Sequence, residues 1–530
     1  MDFIKLSNDP PKGASLSGQL YLNKNEMTPM NIKQYITYVI QDSFRTSVMT
    51  TREILTSVAE LRYSATESPE LIENRVNIML CEMQLEKCSD TLFGDDIHKG
   101  LSGGEKKRVC IAAKLLIDSP ILLLDEPTSG LDSSTSFTII HYLREYARKY
   151  NKIILTTIHQ PSSNIYNLFD KLIILNQGGL IYQGLSGDEV SKYFSSKGFD
   201  MKVNYNPSDS LMRIIEHQNL KNKHYFIDEY KKEKEIEFIN EIDNYLEKTQ
   251  DDNSIPNITN VAIYSNFYTA FRVNFRDYGK TIIRNPQVIR IKIITLLYFA
   301  FLCVSIFWRL PDTLEGNRGK LGFLLFFTTS NFNRQVVSVV LVAPMEKKLL
   351  IEDVNSNLYG VAPYTIARQI IDTIINLLIV LIYTLLTYFL VGLKETVENY
   401  FIFAGVYLSF TFCAMSIGLV ISCFIKTTSQ GVSAFTITSA ILYGFSGIVI
   451  NPKNIPVWLS WLRFINPIFY CTQASINNEF KDGSPLGVNL YELYKENFDI
   501  WHCIVYFVGI GFILRFFVFK GLQLAVQKKI

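Results

Sequence analysis

Two acidic residues end a short aliphatic run in the first half of the chain. The run Ile121–Leu124 is followed directly by Asp125 and Glu126. Such a run predicts a buried strand, and a carboxylate at its end can hold Mg²⁺ beside a nucleotide. A second carboxylate can accept a proton from an attacking water. We therefore take Asp125 as a candidate Mg²⁺ residue and Glu126 as a candidate catalytic base, with ordinary surface acids as the alternative.

A glycine-rich run precedes this strand, separated from it by one predicted helix. It reads Leu-Ser-Gly-Gly-Glu and occupies residues 101–105. Adjacent glycines let backbone N–H groups approach a phosphate closely, and the N-terminus of the following helix favours an anion. We predict that Ser102, Gly103, Gly104 and Glu105 bind nucleotide. Taken alone, the run could also be a capped helix start without a ligand.

Three further polar residues follow strands or turns in the same half. Gln41 comes after a short strand-like run, Asp132 ends a Thr-Ser-Gly-Leu-Asp run, and His159 follows the predicted strand 153–157. A histidine in that place can contact a γ-phosphate, although a lone histidine is more often structural. The order of the motifs favours a catalytic role for His159.

The elements that must position these residues form an α/β pattern over residues 1–216. Alternating strands and helices predict a mostly parallel sheet with helices on its faces. A segment rich in Lys, Glu and Asp follows, and we interpret residues 217–265 as a charged linker. The predicted strands include 121–124, 153–157 and 171–175, and the helices between them include 105–117 and 134–150.

Long apolar runs dominate the remaining residues, 266–530. A membrane-spanning helix needs roughly 20 consecutive apolar residues. Six runs are long enough, so we predict an all-α transmembrane domain of six helices. They occupy residues 288–308, 321–344, 367–393, 400–425, 431–450 and 501–519.

The even number of spans places both ends of the membrane domain on one side. The first domain has no export signal, so we expect it and both termini in the cytosol. Basic residues flank the spans on that side, as Lys347 and Lys348 do after the second. Residues 451–500 then form the one large exoplasmic segment. We predict a multi-pass membrane protein; the pattern does not distinguish the plasma membrane from an intracellular one.

Composition excludes two other classes of protein. Lys plus Arg number 52 and Asp plus Glu number 50, so the basic excess usual for a nucleic-acid binder is missing, and we expect no nucleic-acid partner. The eight cysteines form no C-x-x-C pair, which argues against a zinc or thioredoxin-like site. We expect Cys471, in the exoplasmic segment, to be a free thiol.

In combination the motifs resemble those of ABC transporters, specifically the ABCG (White-type) half-transporters. Residues 101–105 resemble the ABC signature, Gln41 the Q-loop, residues 129–132 the D-loop and His159 the switch histidine. This resemblance implies that Gln41, Asp125 and Asp132 bind nucleotide, and that Gln41 and Asp125 bind Mg²⁺ through water or phosphate. The nucleotide domain precedes the membrane domain, an order typical of ABCG proteins. The fold implied is an ABC-type α/β nucleotide-binding domain followed by the six-helix membrane domain.

The resemblance implies a dimer, formed by two copies or with another ABCG-type chain, that sandwiches ATP and Mg²⁺ and exports lipid, sterol or another hydrophobic compound. Residues 346–360 resemble the segment that couples the two domains. The substrate cavity of such dimers lies between the two membrane domains, and helix packing is the alternative role for each candidate in it. The candidates are Phe326, Thr329, Asn331, Asn333, Phe435, Thr436 and Thr438.

The sequence departs from the family in one motif. A Walker A loop, G-x-x-x-x-G-K-[ST], is expected upstream of Gln41, and none is found there. Because the other motifs are intact, we expect an N-terminally incomplete nucleotide domain. The alternative is a catalytically silent partner subunit or a non-functional product.

Overall fold

The structure is a computed structural model, and the chain divides in it into two compact units. The first is Met1–Ser265 with Ser356–Leu358, and the second is Asn266–Asn355 with Tyr359–Ile530. The residues that the structure describes are 21–22, 25–26, 35–39, 47–94, 99–200, 206–221, 225–233, 265–446, 456–481 and 499–527.

Parallel strands form the centre of the first unit. Strands β3, β4 and β5 pair in that order, and Asp125 at the end of β4 lies opposite Thr157 at the end of β5. The remaining strands form two antiparallel pairs, β1 with β2 and β6 with β7. The strands are β1 Tyr21–Leu22, β2 Asn25–Glu26, β3 Ile36–Val39, β4 Ile121–Asp125, β5 Ile153–Thr157, β6 Lys171–Asn176 and β7 Gly179–Leu185.

Helices pack against part of these strands, whereas Ile153 and Leu155 of β5 are exposed. Leu122, Leu123 and Leu124 of β4 are buried, which explains why this strand is a continuous aliphatic run. The helices of the first unit are α1 Thr51–Tyr63, α2 Pro69–Glu82, α3 Gly103–Leu115, α4 Ser133–Lys149, α5 Ser163–Tyr166, α6 Asp188–Ser196, α7 Pro207–Lys221 and α8 Tyr225–Glu233.

Helix α8 lies within the segment predicted to be a solvated linker, yet part of it is packed into the first unit. Phe226 and Ile227 are buried in an apolar cluster with Phe194 and Ile181. A Cβ added to Gly179 would lie 2.5 Å from Cδ1 of Ile227, so α8 presses directly on β7. The charged composition of the segment concealed this apolar face.

Long helices build the second unit, and its described residues contain no strand. Aromatic rings fill its core: Phe327 stacks on Tyr383 with centroids 4.4 Å apart and meets Tyr407 edge-on at 4.7 Å. The helices are α9 Phe267–Arg284, α10 Pro286–Ile306, α11 Leu314–Asn355, α12 Val361–Val391, α13 Val397–Phe424, α14 Thr428–Gly444, α15 Trp461–Ile465, α16 Pro467–Phe480 and α17 Ile500–Gln527.

Four of these helices are long and apolar enough to cross a membrane, judged by length and composition over the described residues. They are α10, α12, α13 and α17. The second and fifth predicted spans fall in α11, whose middle carries a polar run from Ser330 to Gln335, and in α14, which has 17 residues. A helical membrane domain is confirmed over the described residues, and the count of six spans stays a prediction.

Candidate nucleotide site

Asp125 is held at the carboxyl end of the parallel strands by both neighbours of its strand. Thr157 Oγ1 on β5 donates a hydrogen bond to Asp125 Oδ1 at 2.7 Å, and the Tyr38 hydroxyl on β3 donates to Oδ2 at 3.0 Å. Each carboxylate oxygen can accept more than one hydrogen bond or metal bond. The carboxylate therefore has a fixed position and retains acceptor capacity for a cation.

Glu126 follows in a backbone conformation that is uncommon for a residue with a side chain. Its φ is +44°, in the left-handed region. Its N–H donates to Thr157 Oγ1 at 3.0 Å and to Thr157 O at 3.2 Å. Such a conformation costs on the order of 1–3 kcal/mol, and these bonds hold it in place. The chain thus turns sharply where the candidate base follows the Mg²⁺ residue.

The glycine-rich run forms the N-terminus of α3. The Ser102 side chain accepts from the Glu105 N–H, and a Glu105 carboxylate oxygen accepts from both the Ser102 N–H and its hydroxyl, each at 2.8 Å. This is a capping box, which fixes the entry of the chain into the helix. The hydrogen bonds from Ser102, the backbone one foremost, lower the pKa of Glu105.

Three glycines near this helix start have different surroundings. A Cβ on Gly100 would lie 2.5 Å from Leu92 O, so the backbone leaves no room for a side chain. A Cβ on Gly104 would lie 3.2 Å from Thr135 Cγ2 of α4, whereas a Cβ on Gly103 would meet nothing within 4 Å. The helix N-terminus is therefore open at Gly103, where a phosphate can approach backbone N–H groups.

Asp132 is the N-cap of α4. It accepts from the Thr135 N–H at 3.0 Å and from the Thr135 hydroxyl at 2.7 Å, and these bonds, the hydroxyl one foremost, lower its pKa. Because Thr135 also faces Gly104, the structure brings the start of α4 to the glycine-rich turn. The exposed carboxylate of Asp132 lies beside that turn.

His159 is exposed, two residues past the end of β5. Because β5 pairs in parallel with β4, His159 follows β5 at the same edge of the sheet as Asp125 and Glu126. The predicted residues thus fall into two groups, one at this edge and one at the starts of α3 and α4. Gln41 lies outside the described residues.

Comparison with known proteins identifies the family. The family model described as "ABC transporter" matches residues 9–129, and models described as "ABC-2 type transporter" match residues 159–231 and 269–480. The Bos taurus "Broad substrate specificity ATP-binding cassette transporter ABCG2" is 31% identical over 505 residues, which cover 91% of this chain and 76% of that protein. The chain belongs to the ABCG family of ABC transporters.

Two other ABCG relatives have lower identity and also match most of the chain. "ABC transporter G family member 14" of Arabidopsis thaliana is 27% identical over 85% of this chain and 71% of its own length. "Protein white" of Drosophila melanogaster is 26% identical over 90% and 70%. The predicted resemblance to ABCG half-transporters is confirmed, and with it an ATP-binding domain followed by a helical membrane domain.

The residues of this ABCG chain fit a nucleotide phosphate with Mg²⁺. The open N-terminus at Gly103 suits an anion, and the Asp125 carboxylate suits a hard cation. The described residues contain no group of three His, Cys, Asp or Glu side chains placed to hold a metal by themselves. Asp125 would therefore hold Mg²⁺ together with water or phosphate oxygens.

The seven candidate cavity residues of the membrane unit do not share one environment. Asn331 is fully buried and its side-chain amide donates to Thr411 Oγ1 of α13 at 3.0 Å, which joins two helices of the same chain. Five of the others are half-buried and Thr436 is exposed. The hydroxyls of Thr329, Thr436 and Thr438 donate to carbonyls of their own helices.

Tyr443 of α14 is a residue that the sequence did not single out. Its hydroxyl donates to the side-chain oxygen of Asn333 and to Thr329 O at 3.3 Å, so it connects the helices of the second and fifth predicted spans. The sequence feature that could have indicated this contact is a tyrosine within an apolar run, because a buried hydroxyl needs a hydrogen-bond partner.

Proposed function

We propose that this ABCG chain is one half of a dimeric exporter that couples ATP hydrolysis to the movement of a lipid, a sterol or another hydrophobic compound. The partner is a second copy or another ABCG-type chain. The observation that carries the proposal is the pair Asp125 and Glu126, fixed by Thr157 at the edge of the sheet, in a chain with four apolar helices of membrane-spanning length.

The proposed roles are supported by the positions of these side chains. Asp125 would hold Mg²⁺, which would neutralise charge on the phosphate oxygens. Glu126, at the sharp turn after the strand, accepts the proton of the attacking water, and His159 contacts the γ-phosphate from the same edge. Residues 102–105 and Asp132 contact the ATP that is held mainly by the other subunit. Positioning and electrostatic stabilisation account for catalysis in phosphoryl transfer.

Transport follows from a difference in ATP affinity between two conformations. A ligand shifts a conformational equilibrium only by its differential affinity for the two states. ATP binding favours the closed dimer, and hydrolysis removes that preference. The bovine relative is named for broad substrate specificity, and we propose hydrophobic compounds as the substrate class here. We propose a cytosolic nucleotide domain, because that is the compartment that supplies ATP.

Uptake into inside-out membrane vesicles tests this proposal. Vesicles containing the protein should accumulate fluorescent sterol or another hydrophobic dye with ATP and Mg²⁺, and should not do so when Mg²⁺ is chelated. Vesicles with the Glu126→Gln variant at equal abundance are the control. Accumulation that is the same in both, or that needs no ATP, would contradict coupled export.

A further inference from the structure

A pocket of about 320 Å³ in the membrane unit is lined by α10, α11 and α12. Two of its lining residues are cationic, Lys292 on α10 and Arg334 on α11, and none of the described lining residues is Asp or Glu. A charge inside a membrane-spanning segment is costly, and such residues are usually paired or functional. Positive charge is therefore concentrated within a predicted membrane-spanning region, where it is energetically unfavourable.

Neutral groups hold the two cations in position. Lys292 Nζ donates to Asn376 Oδ1 at 3.3 Å. Arg334 donates to Asn331 Oδ1 at 2.9 Å, and its guanidinium carbon lies 4.8 Å from the centroid of the Tyr383 ring. These contacts orient the side chains without neutralising them.

Asp372, four residues before Asn376 on α12, already has two partners. Asp372 of α12 accepts from the Tyr278 hydroxyl at 2.8 Å and lies 3.4 Å from Nε of Arg368. Within the described residues, neither Lys292 nor Arg334 has a carboxylate at ion-pair distance. An anion from outside the protein would compensate the charge.

The position of the pocket along the helices indicates its depth. At 1.5 Å per residue, Lys292 lies about 21 Å from the Ile306 end of α10, and Arg334 lies about 30 Å from the Leu314 end of α11. Both ends are exoplasmic on the predicted topology. For a hydrocarbon core about 30 Å thick, the cations lie in the cytoplasmic half, the leaflet that carries anionic lipids.

Apolar surface surrounds the cations. Ile291 and Leu341 line the pocket and are 62% and 48% exposed, and Ile294 and Tyr298 continue the exposed face of α10. A small hydrophilic anion would leave this surface uncovered, whereas a phospholipid places an acyl chain along it. The volume suits a phosphate headgroup rather than a whole lipid.

We propose that this pocket is a binding site for an acidic phospholipid of the cytoplasmic leaflet. The headgroup phosphate lies between Lys292 and Arg334, and an acyl chain lies along α10. The lipid neutralises the two cations and links α10 to α11 and α12. Asn333, a candidate for the substrate cavity, also lines this pocket. Lipid binding requires only that the chain is inserted in a membrane, so it can be measured without any measurement of export.

Thermal unfolding of the full-length protein tests the site. The purified protein in phosphatidylcholine nanodiscs should gain stability when phosphatidylserine replaces part of the phosphatidylcholine. The double variant Lys292→Gln with Arg334→Gln should lose that gain. Lys292→Gln alone should weaken phosphatidylserine binding by about five-fold, which is the contribution of one cation at a membrane surface. Native mass spectrometry counts the bound phosphatidylserine.

Matched controls separate this site from general attraction to anionic lipid. Arg290→Gln removes a charge two residues away on an exposed position outside the pocket lining, and it should leave the binding unchanged. Arg334→Lys keeps the charge and should retain most of the binding. This result would show that a substitution at this position does not by itself misfold the protein. Equal binding by the double variant, or an equal gain from inorganic phosphate in place of the lipid, would overturn the proposal.

Discussion

At the scale of single residues, one hydroxyl organises the candidate catalytic edge. Thr157 Oγ1 donates to Asp125 and accepts from the Glu126 N–H. A hydroxyl has only one proton to donate, so its orientation is fixed by Asp125. Thr157 is thus a positioning residue for both acids. Sequence motifs identified the acids, but not Thr157, because its role depends on the register between β4 and β5.

The substitution Thr157→Val keeps the shape of the side chain and removes both hydrogen bonds. We expect a loss of about 1–2 kcal/mol in the free energy of unfolding. We also expect ATP hydrolysis to need a higher Mg²⁺ concentration, because Asp125 is no longer held. Denaturant unfolding and a Mg²⁺ titration of ATPase activity measure the two effects.

The neighbouring Thr156→Val is the matched control, since the Thr156 hydroxyl donates to the backbone carbonyl of Thr157, at 3.4 Å, rather than to either acid. It should leave the Mg²⁺ dependence unchanged. If Thr157→Val also leaves it unchanged, Thr157 does not position the Mg²⁺ residue.

At the scale of elements, local patterns predicted the catalytic core well. The strands predicted at 121–124, 153–157 and 171–175 are Ile121–Asp125, Ile153–Thr157 and Lys171–Asn176. Polar turns and helix caps such as Ser102 mark these boundaries in the sequence itself. The burial of helix α8 was not predicted, because it depends on a distant contact between Ile227 and β7.

The glycine-rich turn offers a pair of substitutions that separates stability from function. In Gly100→Ala the new methyl group would lie 2.5 Å from Leu92 O and 2.6 Å from Gly94 Cα. We expect a loss of about 1–3 kcal/mol or more in unfolding free energy, because the backbone must move. Chemical denaturation of the purified protein measures it.

Gly103→Ala introduces a methyl group into open space at the first position of α3. We expect unchanged or slightly higher stability, because alanine restricts the unfolded chain and favours the helix. ATPase activity should fall, because the methyl group obstructs the approach of phosphate to the backbone. Full activity in Gly103→Ala would show that no phosphate approaches there.

At the scale of the whole molecule, apolar length alone did not determine the number of spans. Helix α11 has 42 residues, and its polar run from Ser330 to Gln335 lowers its overall apolarity. Asn331 in that run is satisfied by Thr411 of α13, so the cost of burying it is offset by packing between helices. An average of apolarity over a short stretch of sequence does not take account of a partner on another helix.

Cysteine labelling in intact cells measures the topology. Seven of the eight native cysteines are buried and only Cys81 is exposed. In a Cys81→Ser background, labelling of the native cysteines should therefore be low. With six spans, Glu395→Cys and Trp458→Cys should react with an impermeant maleimide from outside, and Ser429→Cys only after permeabilisation. Reaction of Ser429→Cys from outside would contradict six spans.

The central claim is that Glu126, at the turn after β4, is the base for ATP hydrolysis. The most direct test of this claim is the ATPase rate of the dimer purified in lipid nanodiscs. Glu126→Gln should lower the rate by on the order of 10²–10⁴-fold while ATP still binds, and Glu145→Gln, an exposed glutamate on α4, should not change it. Hydrolysis by Glu126→Gln at the wild-type rate would contradict the account.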